Sequence, residues 1–111
     1  MAVLQIVDTD YIVDVEGYLE NREQWTEDFA RYCASQENIE LKSGHWELIH
    51  MLQDYYEEYE FIPNIRGLSK VVAKRLSEEK SDMKYLKSLF PDSPARQAAK
   101  YSGLPKPTGC I

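Results

Sequence analysis

At 111 residues, with 43% hydrophobic and 29% charged side chains, the chain is sized for one globular domain around a single modest core. No apolar run approaches the ~18 residues of a membrane span and no charged-then-apolar leader opens the chain, so a cytoplasmic protein is expected. The net charge of −6 is unevenly spread: residues 1–62 hold 15 acidic and 3 basic side chains, residues 63–111 hold 4 and 10. A basic second half suits an acidic partner or a protein–RNA complex, while the overall acidity opposes stable binding to a bare polyanion.

Taken in order, Val3 to Val7 and Tyr11 to Val15 are β-branched and aromatic runs separated by Asp8-Thr9-Asp10. The second alternates, with Tyr11, Val13 and Val15 on one face, which predicts a small antiparallel hairpin. Gly17 breaks it, and Tyr18-Leu19 is expected to pack back on the body. Thr26 can cap a helix to Gln36 whose apolar face carries Phe29, Tyr32 and Cys33. On such a face Cys33 reads as a small buried hydrophobe with an inert thiol.

Ser43 is the expected cap of a second helix, Gly44 to Tyr59, with Trp46, Ile49, Leu52, Tyr56 and Tyr59 as its buried stripe. His45 and His50 are five apart, about 140° around that helix, so they do not share a metal as an i, i+4 pair would. With no Cys-x-x-Cys or carboxylate–histidine cluster either, neither a metal nor a cofactor is expected. Pro63 is expected to open a third helix with Ile65, Leu68, Val71, Val72 and Leu76 inward and Arg66, Lys70, Lys74 and Arg75 outward. Ser81 or Asp82 starts a fourth, ended by Pro91. This pair invites a helix-turn-helix reading, yet crossed helices are also the commonest way to bury two apolar stripes. Ser93 caps a fifth helix with Pro94 at its first turn, a small inner face of Ala95, Ala98 and Ala99, and Gly103 at its end.

The last nine residues, Gly103-Leu104-Pro105-Lys106-Pro107-Thr108-Gly109-Cys110-Ile111, can neither continue a helix nor enter a sheet interior. They read as a flexible arm, residues 103–111, on a globular body, residues 1–102; extended, nine residues reach roughly 28 Å. Cys110 sits at its tip with one residue after it, too few for a prenylation box and few enough for the thiol to enter a pocket on another protein. Cys33 and Cys110 have no disulfide-scaffold spacing, which favours reduced thiols.

The run Leu89-Phe90-Pro91, then Pro94-Ala95-Arg96-Gln97-Ala98-Ala99-Lys100, Gly103-Leu104-Pro105-Lys106-Pro107 and Cys110-Ile111, resembles the C-terminal signature of the DsrC/TusE family. The likeness extends upstream to Glu16-Gly17-Tyr18-Leu19, Trp25-Thr26-Glu27, His45-Trp46-Glu47, Pro63-Asn64-Ile65-Arg66 and Tyr85-Leu86, and so covers nearly the whole chain. These are small sulfur carriers, and the resemblance implies a persulfide on Cys110. In DsrC proper a second cysteine stands eleven positions before the last; here that position is Ala99, so the resemblance points to the single-cysteine TusE branch. Ser93, where the family usually places glycine, and Tyr101-Ser102, where small or aliphatic residues are commoner, are smaller departures.

The resemblance implies an α+β, mostly helical fold: a hairpin on about five helices, with the arm beyond them. It implies a sulfurtransferase that takes sulfur from an upstream TusBCD-like complex and passes it to a tRNA 2-thiouridylase, and through it to tRNA, for wobble-uridine 2-thiolation. Thiolate attack on a donor persulfide is the step required of Cys110. Arg96 and Lys100 on the fifth helix and Lys106 on the arm are candidates to stabilise that thiolate, and Arg66 and Lys70 to form a basic surface the arm folds over. The alternatives are a DsrC-like role in sulfur metabolism, which Ala99 opposes, a nucleic-acid-binding regulator, and an adaptor whose arm docks without exchanging sulfur.

Overall fold

The computed structural model describes residues 2–6 and 8–107. Strands β1 (Ala2–Ile6) and β2 (Thr9–Val13) pair antiparallel, with Val3 opposite Ile12 and Leu4 opposite Tyr11. The two-residue alternation sends Tyr11 and Val13 into the core and leaves Val3 and Ile12 exposed on the other face. The strand ends two residues earlier than its alternation predicts. Asp14 turns the chain: its carboxylate accepts the backbone N–H groups of Glu16 (2.9 Å) and Tyr18 (3.0 Å), and Val15 is left 90% exposed. The turn returns Tyr18 and Leu19 to the core, with Leu19 bridged to Val13.

Helix α1 (Glu27–Gln36) follows its cap: the Thr26 hydroxyl accepts the Phe29 N–H and also bonds the Tyr11 hydroxyl at 2.5 Å, tying helix to hairpin. Phe29, Ala30, Cys33 and Ala34 are buried and Tyr32 is half-buried.

Helix α2 (Ser43–Tyr59) starts differently from the expectation. Ser43 is the first helical residue, and the free N–H of Lys42 is accepted by Nδ1 of His45 at 3.0 Å. The proton therefore sits on Nε2, which donates to the carbonyl of Leu89 at 2.8 Å. Using His45 in this way turns the buried face to His45, Leu48, Ile49, Met51 and Leu52. Trp46 and Tyr56 are only half-buried, and Tyr59, in a last turn that outruns the core, is 51% exposed.

Helix α3 (Ile65–Arg75) begins two residues after the Pro63 expected to open it, and Asn64 caps it, its side-chain oxygen accepting the Gly67 N–H at 2.9 Å. Asp82 caps α4 (Met83–Leu89) through the Lys84 N–H, after a 3₁₀ turn at Glu79–Ser81. Ser93 caps α5 (Pro94–Tyr101) with Pro94 in its first turn, as its sequence predicts. Ala95, Ala98 and Ala99 are at most 1% exposed, and these small side chains let α5 settle between α1 and α2. The molecule is α+β and mostly helical: a hairpin and five helices with α5 at the centre. Among the described residues no helix is long and apolar enough to cross a membrane.

Candidate functional site: the root of the C-terminal arm

The helix that carries the arm is fastened from below by a polar network. Tyr101 donates its hydroxyl to the Glu37 carboxylate at 2.5 Å and Gln97 donates its amide to the same oxygen at 2.9 Å. The carbonyl of the Gln97 side chain in turn accepts the N–H groups of Asp92 and Ser93, so one buried glutamine joins the start of α5 to the end of α1. Burial, then the hydrogen bond to Glu37, raises the Tyr101 hydroxyl far above the usual phenol range, which keeps it a donor.

The end of α5 is held as firmly. Gly103 adopts φ +74°, and the N–H of Leu104 reaches back to the Ala99 carbonyl at 3.0 Å while that of Gly103 reaches Lys100 at 3.2 Å. The indole N–H of Trp25 donates to the Tyr101 carbonyl at 2.6 Å, and the Gln53 amide to the Ser102 carbonyl at 3.0 Å. Trp25 also lies so close to Gly103 that a Cβ there would stand 2.7 Å from the indole. Gly103 and Leu104 are buried, as is Pro107, whereas Pro105 and Lys106 are exposed. The expected arm thus has a packed root: Leu104 is 1% exposed, worth roughly 1.5–3 kcal/mol of burial, and its first two residues belong to the body.

Of the five basic residues proposed from the sequence, the structure gathers three. Arg96 and Lys100 line a cavity of about 250 Å³ together with Glu16, Tyr18, Glu37 and Asp92. Lys106 reaches the same place through Glu16, its Nζ 2.9 and 3.1 Å from the two carboxylate oxygens. Lys100 extends over Gly17 and the Tyr18 ring, its Nζ 5.9 Å from the ring centroid, and the Tyr18 hydroxyl donates to the Arg96 carbonyl at 3.2 Å. Arg66 and Lys70 are exposed on α3, and Lys70 borders a different cavity, about 440 Å³, with Tyr55 and Phe61. Among the described residues no hydrogen bond or ion pair joins either of them to Gly103–Pro107.

Cys110 itself lies outside the described residues. Cys33 is buried beneath α5, and that burial pushes its thiol up to about 12 despite the nearby Lys100. Glu16, Trp25, Glu37 and Gln53 form the root with the arm but were not singled out for chemistry by their sequence positions. Glu16 and Lys106 are 90 residues apart, and neither periodicity nor spacing links them. Among the described residues no group of three His, Cys, Asp or Glu side chains is arranged to hold a metal ion.

The family model described as DsrC like protein matches residues 5–111. The sulfurtransferase TusE homolog of Haemophilus influenzae is 45% identical over 109 residues, 98% of this chain and 100% of its own length. Sulfurtransferase TusE of Escherichia coli is 46% identical over 98 residues, 88% of this chain and 90% of its own. Among solved structures, the NMR structure of Allochromatium vinosum DsrC matches with a TM-score of 0.89 at 47% identity, covering 98% of this chain and 97% of that one. The oxidized gamma-subunit of dissimilatory sulfite reductase (DsrC) from Archaeoglobus fulgidus matches at 0.82 and 34% identity, covering 99% and 100%. With a family match over residues 5–111 and the same hairpin-and-helices architecture, the chain belongs to the DsrC/TusE sulfurtransferase family.

Proposed function

We propose that this protein is a sulfur-relay carrier: Cys110 accepts sulfane sulfur as a persulfide from an upstream sulfurtransferase complex of the TusBCD kind. It then delivers that sulfur to a tRNA 2-thiouridylase. Overall identity does not separate the two branches of the family, since the chain is 45–46% identical to TusE proteins and 47% identical to one DsrC. The observation that carries the reading is Ala99. The residue that would be a second thiol in DsrC is a methyl group, fully buried against the core, so the intramolecular disulfide of that branch has no partner.

The chemistry asks little of the body. The Cys110 thiolate attacks the terminal sulfur of a donor persulfide, the donor leaves as thiolate, and Cys110 holds the new S–S bond until an acceptor thiolate repeats the step. Arg96, Lys100 and Lys106 gather near the root of the arm and support an anionic sulfur there, while Arg66 and Lys70 serve as a separate basic surface for a partner. Cys33, with its raised thiol, is no competitor for the sulfur. The arm, a single domain's appendage running on from the packed root at Leu104, delivers the thiol into partner sites in the cytoplasm.

Cys110→Ser should abolish sulfur transfer to a thiouridylase with the fold unchanged by circular dichroism. Full relay by that variant would instead favour an adaptor that docks without carrying sulfur.

A further inference from the structure

Besides the buried Leu104 and Pro107, the described part of the arm meets the body through one charged contact, Lys106 on Glu16, and its acceptor is well fixed. Glu16 sits in a turn locked from within: besides the two bonds to the Asp14 carboxylate, the Asp14 N–H donates to the Tyr18 carbonyl at 2.8 Å and the Gly17 N–H to the Asp14 carbonyl at 3.0 Å. The turn is also pinned to α5 through Tyr18 and Lys100. Glu16 therefore presents its carboxylate from a rigid mount beside Arg96 and Lys100, and receives Lys106 on both oxygens.

We propose that Glu16 is a positioning residue for sulfur transfer: it parks the arm by holding Lys106, and a partner with an acidic rim around its receiving cysteine releases the arm by taking Lys106 over. The proposal rests on the reading that Cys110 carries the sulfur. Its effect follows from chain length. Cys110 is four residues beyond Lys106, so a parked arm, with Pro107 packed just behind the ion pair, confines the thiol to about 14 Å from the Lys106 Cα; once Lys106 and Pro107 have both let go and Leu104, six residues back, is the anchor, it ranges to about 21 Å. The hold has the strength a releasable latch needs. The two side chains are 39% and 51% exposed, and pairs of that kind shift a population by less than about fivefold, weakening with salt. A partner's carboxylates inside a docked, drier interface outcompete it.

Four variants test this: E16Q, K106Q, the double variant and the charge swap E16K/K106E. In the free protein, the ¹⁵N heteronuclear NOE of the residue-106 amide reports parking. It should fall in E16Q and K106Q, fall no further in the double variant, and recover in the charge swap. In sulfur capture from a protein persulfide donor at low ionic strength, E16Q should raise kcat/KM roughly two- to fivefold, because an unparked arm no longer has to be freed. That gain should vanish near 0.5 M salt. K106Q should lower kcat/KM, since it removes the group the partner takes hold of. A merely structural Glu16 would not make capture faster. An unchanged residue-106 amide in E16Q, or a loosened arm with no gain in capture, overturns the proposal. If the wild-type protein takes up no sulfur at all, the reading of function fails, and the parking of the arm is decided by the NOE alone.

Discussion

At residue scale, the two thiols of this chain are separated by environment. Burial that pushes Cys33 up to about 12 leaves roughly one thiolate in 10⁴ at pH 8, so alkylation there by iodoacetamide should modify Cys110 and spare Cys33. Peptide mapping checks this, and Cys33→Ala should retain relay. The apolar stripe of α1 was enough to foresee that Cys33 is buried. Gly103 was legible only as a helix stop. Its contact with Trp25 comes from a residue 78 positions away, and no local pattern announces it. Gly103→Ala must place a Cβ 2.7 Å from the indole at a φ of +74°, so it should lower stability by about 1–3 kcal/mol in urea unfolding and loosen the arm's root.

At the scale of elements, helix existence was readable and helix rotation was not. All five helices and the hairpin follow from periodicity and from caps at Thr26, Asp82 and Ser93, because these signals are local. In α2 the expected stripe holds at Ile49 and Leu52, while its aromatic members Trp46, Tyr56 and Tyr59 give way to His45, Leu48 and Met51. In the folded protein the imidazole satisfies two backbone groups at once, the Lys42 N–H and the Leu89 carbonyl, and so can be buried without loss. This has a pH consequence. Burial first, offset by the Leu89 bond, holds His45 below its ordinary value, so the folded state binds its proton less readily than the unfolded chain. Stability from this residue is complete above about pH 6.5 and is lost as pH falls through the folded value, with a slope of at most about 1.4 kcal/mol per pH unit. Urea titrations between pH 7.5 and 5.5 should show that loss, and His45→Gln should flatten it whatever its effect at pH 7.5.

At the scale of the whole molecule, the charge imbalance along the chain does not become two opposed poles. Of the six ion pairs among the described residues, Glu58–Arg75, Glu47–Lys80 and Glu16–Lys106 join the acidic half of the sequence to the basic half. These three pairs tie together what the sequence separates, and of the five basic residues singled out for function Arg96, Lys100 and Lys106 gather at the arm's root while Arg66 and Lys70 lie apart on α3. Delivery should depend on the arm beyond that root. Replacing Pro105 and Pro107 by glycine removes its stiffness without touching the Leu104 anchor, at the cost of the burial of Pro107, so transfer should slow several-fold, more than the accompanying fall in Tm explains. An unchanged rate would mean that the arm's stiffness plays no part.

The most direct test of the carrier role is the mass of the peptide containing Cys110 after incubation with a cysteine desulfurase, cysteine and the sulfur-relay proteins of the same cell, analysed without reductant. One added sulfur on Cys110, absent from Cys33 and removed by dithiothreitol, is the predicted result. An unmodified Cys110 in the presence of a sulfur-loaded donor would contradict it.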